Sequence, residues 1–271
     1  MVRRLAILAI ACLGLFGPET ATPALAQTVA PKIVPHSARY RLSLLETRMG
    51  DISSFTGLMR FDVIRTCQDW TTESELHMVA DMDGAASFNL TVDHKAHEAL
   101  DGSWLAFEST ADTPNGKEVI AGRAERRPDG SVVANFTAPK NGTLALPPET
   151  RFPIDTIQWN LDALWGKNQR LLTYILFDGS DPFAWRATDL VAGKPVAPRA
   201  DVSDPNGLLV GQMKRIVSAL FEVGKQDSEP TTTYISDTLP NGVIVRMTID
   251  IGVMVAEAEL VEVLAVPEPG C

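Results

Sequence analysis

The stretch Gly57–Ala80, GLMRFDVIRTCQDWTTESELHMVA, decides the fold that we predict for this chain. Apolar and polar residues alternate on both sides of Cys67; before it, for example, Met59, Phe61 and Val63 would share one face of a strand. Alternation with a period of two is typical of a half-buried β-strand. The stretch therefore predicts two antiparallel strands that turn at Cys67.

Cys67 has one candidate partner. Once an N-terminal targeting segment is removed, the only other cysteine is Cys271, the last residue. Two cysteines in an exported chain favour a disulfide. Closing a loop of roughly 205 residues would stabilise the fold by about 5 kcal/mol in the chain-entropy model. The alternative is a buried, unpaired Cys67 and a solvent-exposed Cys271.

Residues 1–26 have the pattern of a secretory signal peptide. Arg3 and Arg4 precede an apolar run, Leu5–Phe16, and the small residues around Ala26 form a cleavage site before Gln27. The apolar run is too short for a bilayer span, which takes roughly 20 residues, so the mature form has no predicted transmembrane segment. A lipoprotein acylated at Cys12 is the alternative. Residues 27–35 are predicted to be a short flexible lead-in.

The mature chain is acidic. Without residues 1–26 it keeps 22 basic and 33 acidic residues, a net charge of −11. Such a surface repels phosphate backbones and anionic lipid head groups, which argues against nucleic-acid binding. Attraction to a basic partner stays open.

Turn dipeptides punctuate the chain. They tolerate the positive φ angles of tight hairpins, and they recur between alternating runs: Gly50-Asp51, Asp83-Gly84, Asp101-Gly102, Asn115-Gly116, Asp129-Gly130, Asp178-Gly179 and Asn241-Gly242. Spacings near a dozen residues, as from Asp101-Gly102 through Asn115-Gly116 to Asp129-Gly130, favour an antiparallel meander over alternating βα units. We find no break in composition that would divide residues 36–271, so we predict one domain, with an exposed loop over residues 194–205.

One helix interrupts the strand pattern. Ile157, Leu161 and Leu164 recur at helical spacing before Gly166, and Asp155 or Thr156 is predicted to cap the helix. The apolar run from Leu171 to Phe177 predicts a strand buried on both faces. Periodicity over Leu208 to Val223 favours a helix over a strand.

No motif indicates a reaction. The mature chain contains no nucleophile elbow, phosphate-binding loop, dinucleotide-binding glycine pattern or zinc helix. His94 and His97, with His77 and Asp93 nearby, come nearest to a metal pattern. Residues three apart on a strand lie on opposite faces, so we interpret them as surface histidines. Asp81-Met82-Asp83-Gly84 lacks the later oxygen ligands of a calcium loop and predicts a plain turn. We therefore predict no metal, cofactor or catalytic residue.

Two other groups of residues have an ordinary explanation. The acid pairs Glu73 with Glu75 and Glu257 with Glu259 would each share one face of a strand. Because the chain is so acidic, we interpret them as part of a solvated sheet face. The tryptophans are expected in the core, although they would also suit an apolar cavity. They are Trp70, Trp104, Trp159, Trp165 and Trp185.

Taken together, several short motifs resemble one family, the alphaproteobacterial cell-envelope-integrity proteins of the EipB type. The matching residues are Cys67-Gln68-Asp69-Trp70, Leu146-Pro147, Phe152-Pro153, Phe177-Asp178-Gly179-Ser180, Asn241-Gly242-Val243 and Cys271. These motifs follow the order of the family along nearly the whole mature chain. A histidine that commonly follows the Phe-Pro motif in the family is missing here, where residues 155–158 are Asp, Thr, Ile and Gln.

The resemblance implies a mainly β fold, in which a curved antiparallel sheet of about a dozen or more strands, a β-spiral, wraps around a helix. It also implies a disulfide between Cys67 and Cys271, and at least partly strand over Leu208 to Val223. It further implies a non-enzymatic periplasmic protein that supports envelope integrity, with a periplasmic helical-repeat protein as partner. The alternatives are a carrier of lipid or lipoprotein with an apolar groove, and a hydrolase with a scattered site.

Overall fold

The structure is a computed structural model that describes residues 31–48, 52–84, 87–226, 229–250, 252 and 254–271. The predicted signal peptide and the Gly50-Asp51 turn lie outside these residues. The described chain forms fourteen strands and one α-helix, followed by a π-helical turn. The strands before the helix are β1 His36–Thr47, β2 Ile52–Arg65, β3 Asp69–Met82, β4 Phe88–Ala99, β5 Trp104–Thr113, β6 Gly116–Arg126, β7 Val132–Ala138 and β8 Gly142–Leu146. After them come α1 Pro153–Leu161, the π-helical turn Asp162–Gly166, β9 Leu171–Leu176, β10 Trp185–Val191, β11 Lys214–Glu222, β12 Thr232–Thr238, β13 Ile244–Asp250 and β14 Met254–Ala265.

All fourteen strands belong to one curved antiparallel sheet. Their order is β8-β7-β6-β5-β4-β3-β2-β1-β14-β13-β12-β11-β10-β9. The chain thus builds one half of the sheet outward from β1 to β8 and the other half inward from β9 to β14. β8 and β9 are the two edges and do not pair with each other, so the sheet is not closed. The predicted mainly β fold with a curved antiparallel sheet is confirmed.

Alternation of side chains gives the sheet an apolar inner face. Along β1, for example, Ala38, Tyr40 and Leu42 are buried while Arg39 and Arg41 are exposed. The inner face continues through β14 and β2, where Leu260 pairs with Tyr40 and Met59 lies on its other side. Burial of these side chains is the main favourable term in the stability of the fold.

Helix α1 crosses the inside of the curved sheet. Ile154 and Leu161, near its two ends, pack in one cluster with Val63 of β2, and just after the helix Leu164 packs with Leu172 of β9. Pro153 occupies the first turn, where its missing N–H is tolerated. The N-cap is Phe152, which makes no side-chain cap bond, so the predicted capping by Asp155 or Thr156 is wrong. A carboxylate from β4 binds the free amides instead, as described below.

The disulfide joins the β2–β3 turn to the end of the chain. Cys67 and Cys271 are linked with Sγ atoms 2.09 Å apart, which is the pairing that the sequence predicts. Their Cα atoms are 5.8 Å apart although 204 residues separate them in sequence. The bond therefore pins the end of the chain that follows β14 against the β2–β3 turn.

The predicted flexible lead-in is wrong over residues 31–35. Lys32 and Val34 donate backbone hydrogen bonds to the carbonyls of Pro240 and Asn241, at 3.1 Å each. Ile33 is buried between the sheet and α1. These backbone hydrogen bonds hold an extended segment along the β12–β13 turn.

Two predictions about later segments are also wrong. Leu171 and Thr173 are exposed, so β9 is buried on one face only. Helix periodicity misassigned Leu208 to Val223, where residues 208–213 are irregular and Lys214–Glu222 forms β11, so the partial strand that the family resemblance implies is confirmed. Pairing of β11 with β10 and β12 decides its conformation, because a neighbouring strand on each side satisfies the backbone.

Candidate functional site

A pocket opens beside the unpaired edge of the sheet, between β6–β8 and the β9–β10 loop. Its volume is about 710 Å³. We call it the seam pocket, and its lining residues are Lys117, Glu118, Val119, Ile120, Phe136, Pro139, Lys140, Gly142, Thr143, Leu144, Asp181 and Pro182. This volume lies within the range of roughly 300–1,000 Å³ that is usual for small-molecule sites.

Inner-face side chains make the apolar wall of the seam pocket. Ile120, Phe136 and Leu144 pack against the core cluster that contains Phe107 and Phe177. The ring of Phe136 meets that of Phe107 edge to face, with centroids 5.6 Å apart. The wall is thus backed by a packed aromatic cluster and is fixed in position.

One glycine allows the β9–β10 loop to close on this cluster. Gly179 has φ +81°, and a Cβ at this position would lie 2.1 Å from Cγ of Phe107. A side chain there would therefore displace the loop that carries Asp181 and Pro182 to the pocket.

Unpaired backbone borders the pocket on the β6 side. β6 pairs with β5 along its length, but β7 pairs with it only from Ala121 onward. Over Lys117–Ile120, the edge of β6 that faces away from β5 therefore has no neighbouring strand among the described residues. Its N–H and C=O groups need partners from water or from a bound molecule.

Four charged residues surround the seam pocket. Within the described chain, no ion pair or hydrogen bond engages the side chain of Lys117 or Lys140. Glu118 is exposed, and Asp181 is half-buried and accepts a 3.4 Å hydrogen bond from Ser180 Oγ. Burial raises the pKa of Asp181 above its ordinary value, and the negative charge of Asp178 raises it further by a smaller amount.

A second cleft, of about 570 Å³, lies at the start of α1. Its floor holds Glu98, the last inner-face residue of β4, which is 3% exposed. Glu98 accepts hydrogen bonds from the backbone N–H groups of Ile154, at 2.7 Å, and Asp155, at 3.0 Å. Burial raises the pKa of Glu98 to about 7, against the lowering effect of these two bonds.

The partners of Glu98 make it a structural cap. Both of its oxygens are engaged by the positive end of α1. In the described chain, no serine, histidine or lysine side chain forms a hydrogen bond with it. Thr150 also lines this cleft; it is fully buried and its Oγ1 has no hydrogen-bond partner.

Polar side chains from α1, β9 and β10 meet on the inner face. Tyr174 Oη donates a 2.9 Å hydrogen bond to Asp189 Oδ2, and Asn160 Nδ2 donates one of 3.1 Å to the same oxygen. Burial raises the pKa of Asp189, which is 3% exposed, although these donors oppose the shift. The three residues tie α1 to the sheet.

The histidines do not form one site. His94 faces inward, where burial lowers its pKa despite the nearby charges of Asp178 and Asp181. His97 faces outward and bonds Thr71 at 3.1 Å, and His77 bonds Thr91 at 3.2 Å. His94 and His97 thus lie on opposite faces, as strand alternation requires. Within the described residues, no group of three or more histidine, cysteine or acidic side chains is arranged to hold a metal ion.

The acid pairs lie on the outer face in ion pairs. Glu73 binds Lys95 at 2.6 Å and Glu75 binds Arg60 at 2.8 Å. Glu257 is paired with Arg246, and Glu259 binds Arg199 at 2.9 Å. Glu73, Glu75 and Glu259 are partly exposed, as a solvated sheet face predicts, whereas Glu257 is buried, 7% exposed, so the ion pair with Arg246 rather than solvation accounts for it.

The five tryptophans are dispersed. Trp70 lines the Glu98 cleft, Trp104 stacks with Arg123, and Trp159 stacks with Arg151. Trp165 donates to the carbonyl of Gln212, and Trp185 meets Phe183 edge to face. They therefore do not share one cavity.

Sequence reasoning missed Glu98, Lys117 and Lys140. A usable signal existed for Glu98, since alternation from Val92 through Ala96 places this acid on the buried face of β4. The two lysines carried no such signal, because exposed lysines are common and their approach to one pocket depends on the open edge of the sheet.

The described residues contain no helix of sufficient length and apolar character to cross a bilayer. The arrangement as a whole defines an open, barrel-like antiparallel β protein with an internal helix and an apolar pocket at its seam.

The chain belongs to the EipB-like family, whose model matches residues 27–267. Among solved structures it is similar to a β-barrel-like protein of a domain of unknown function, DUF1849, from Brucella abortus. The two share 24% sequence identity with a TM-score of 0.77, over 88% of this chain and 100% of that chain. This likeness supports the fold. No match is found among curated proteins.

Proposed function

We propose that this chain is a non-enzymatic periplasmic protein that supports cell-envelope integrity, holds an apolar ligand in the seam pocket and acts through a protein partner. Family membership and the signal-peptide pattern of residues 1–26 support the location. By family resemblance, the partner is a periplasmic helical-repeat protein.

The observation that carries the ligand part of the proposal is the seam pocket itself. It offers about 710 Å³ beside Ile120, Phe136 and Leu144. These side chains are only partly buried, although they lie on the inner face with the core. A hydrocarbon chain placed there would bury apolar surface at roughly 25 cal/mol for each Å².

The alternative is a carrier that delivers a lipid or the lipid part of a lipoprotein. The same pocket favours it, because a carrier needs a site that is open at one side for loading and release. A carrier purified from its native periplasm co-purifies with a lipid that mass spectrometry detects, and a clean spectrum would argue against this version.

Deletion of the gene tests the main proposal. We expect deletion cells to lose viability in detergent or in a cell-wall drug, and the wild-type gene to restore it. Leu144→Trp, which fills the pocket on an edge strand, is expected to be folded and exported yet to restore survival poorly. Unchanged survival of the deletion strain would contradict the envelope role, and full rescue by Leu144→Trp would contradict a role for the pocket.

A further inference from the structure

We propose that the seam pocket takes a single-chain amphiphile with an anionic head group, carboxylate or phosphate, and that this head group lies at Lys117 and Lys140. The inference rests on the proposed function. It adds the charge of the ligand and the direction in which it lies.

The two lysines are the first part of the argument. Both line the pocket, from β6 and from the β7–β8 turn. Neither has a carboxylate partner within the described chain, whereas other lysines do, for example Lys95, which binds Glu73 at 2.6 Å. On a mature chain with a net charge of −11, two unpaired ammonium groups at one apolar pocket mark a place for an anion.

The free edge of β6 sets the direction of the ligand. A hydrocarbon chain laid along Lys117–Ile120 would cover backbone N–H and C=O groups that have no strand partner, which is unfavourable. A polar head group at that edge would accept hydrogen bonds from the N–H groups and leave the C=O groups in water. The chain then extends toward Phe136, Leu144 and Pro182.

The carboxylates of the pocket do not outweigh the lysines. Asp181, half-buried on the β9–β10 loop, already accepts a 3.4 Å hydrogen bond from Ser180 Oγ. Glu118 is one exposed carboxylate against two ammonium groups. A cationic ammonium head group would be repelled by both lysines, and a neutral head group would form no ion pair with them.

Binding of four probes with the same twelve-carbon chain tests the proposal. They are dodecanoate, dodecyl phosphate, dodecyl maltoside and dodecyltrimethylammonium, titrated below their micelle concentrations into the mature protein by calorimetry. We expect one or both anionic probes to bind more tightly than the other two. Lys117→Gln with Lys140→Gln is expected to weaken anionic binding about tenfold, the size of two exposed ion pairs, and to leave the other probes unchanged.

The double variant Lys167→Gln with Lys194→Gln is the matched control. It removes the same charge at exposed positions away from the pocket, so it is expected to bind like the wild type. Leu144→Trp is expected to reduce binding of every probe that the wild type binds.

The outcomes separate the two proposals. Preference for dodecanoate alone points to a free fatty acid, and preference for dodecyl phosphate alone points to a phosphate head group; both support the inference. Equal affinity for all four probes, or equal losses in the two lysine variants, would overturn it while the apolar pocket stands. Failure of all four to bind would overturn both the inference and the ligand part of the proposed function, and would leave the envelope role to the deletion experiment.

Discussion

The Glu98 carboxylate on β4 accepts a 2.7 Å hydrogen bond from the backbone N–H of Ile154, in the first turn of α1. The second carboxylate oxygen accepts from Asp155 N, at 3.0 Å. An acid 56 residues earlier in the chain thus supplies the cap that the residues at the start of the helix do not. This contact fixes the helix within the curved sheet and therefore fixes the shape of the interior.

Glu98→Ala is expected to lower the free energy of unfolding by about 3 kcal/mol. The substitution leaves the buried N–H of Ile154 and the partly buried N–H of Asp155 without their carboxylate partner, each at a penalty of about 1–3 kcal/mol. Urea denaturation measures the change. Glu108→Ala, at an exposed position on β5, is the control and is expected to change stability little. Equal stability of the two variants would contradict the capping role.

Stability is expected to depend on pH through Glu98. Its pKa is raised from 4.5 to about 7, mainly by burial, so the folded state binds the proton more tightly than the unfolded state does. The stabilisation of the folded state by this tighter proton binding is fully present below pH 4.5 and is lost as the pH rises to about 7. A shift of this size corresponds to about 3 kcal/mol.

Comparison with Glu98→Gln isolates this effect, because glutamine does not titrate. At pH 5 we expect the wild type to have a larger free energy of unfolding than the variant. This difference is expected to shrink as the pH rises to 8. Denaturant titrations at several pH values measure it. A difference that stays constant over this range would show that the pKa of Glu98 is not raised.

Gly179→Ala is expected to destabilise the protein by about 3 kcal/mol, because the new Cβ would overlap the Phe107 ring and the backbone φ is positive. Gly130→Ala separates the two causes. Gly130 has φ +84° and open space around it, so about 1 kcal/mol is expected there. Thermal unfolding of both variants measures the difference, and equal losses would mean that the loop does not pack on Phe107.

Cys67→Ser with Cys271→Ser is expected to lower stability by about 5 kcal/mol in the chain-entropy model, since the disulfide restricts a very long loop of the unfolded chain. Denaturation with and without reductant measures it. Reductant is expected to lower the wild type to the level of the variant. A non-reducing peptide map of the purified protein that finds both thiols free would contradict the prediction.

The sequence by itself determined the local elements. Alternation in residues 57–80, with Asx-Gly turns such as Asn115-Gly116, indicated antiparallel strands, because strand periodicity and turn chemistry depend on neighbouring residues. The helix after Phe152 followed from spacing in the same way. The signal-peptide pattern and the count of cysteines favoured a disulfide between Cys67 and Cys271 over two free thiols, and the structure has that bond.

Only the tertiary structure decided which distant residues meet. The curvature of the sheet brings β8 toward the β9–β10 loop and so creates the pocket of Lys117, Leu144 and Asp181, none of which stands out in the sequence. Glu98 replaced the predicted caps for the same reason. Residues 214–222 became a strand against their helical spacing because two neighbouring strands offered hydrogen bonds. Contacts of this kind depend on the coiling of the whole sheet, which no short window of sequence encodes.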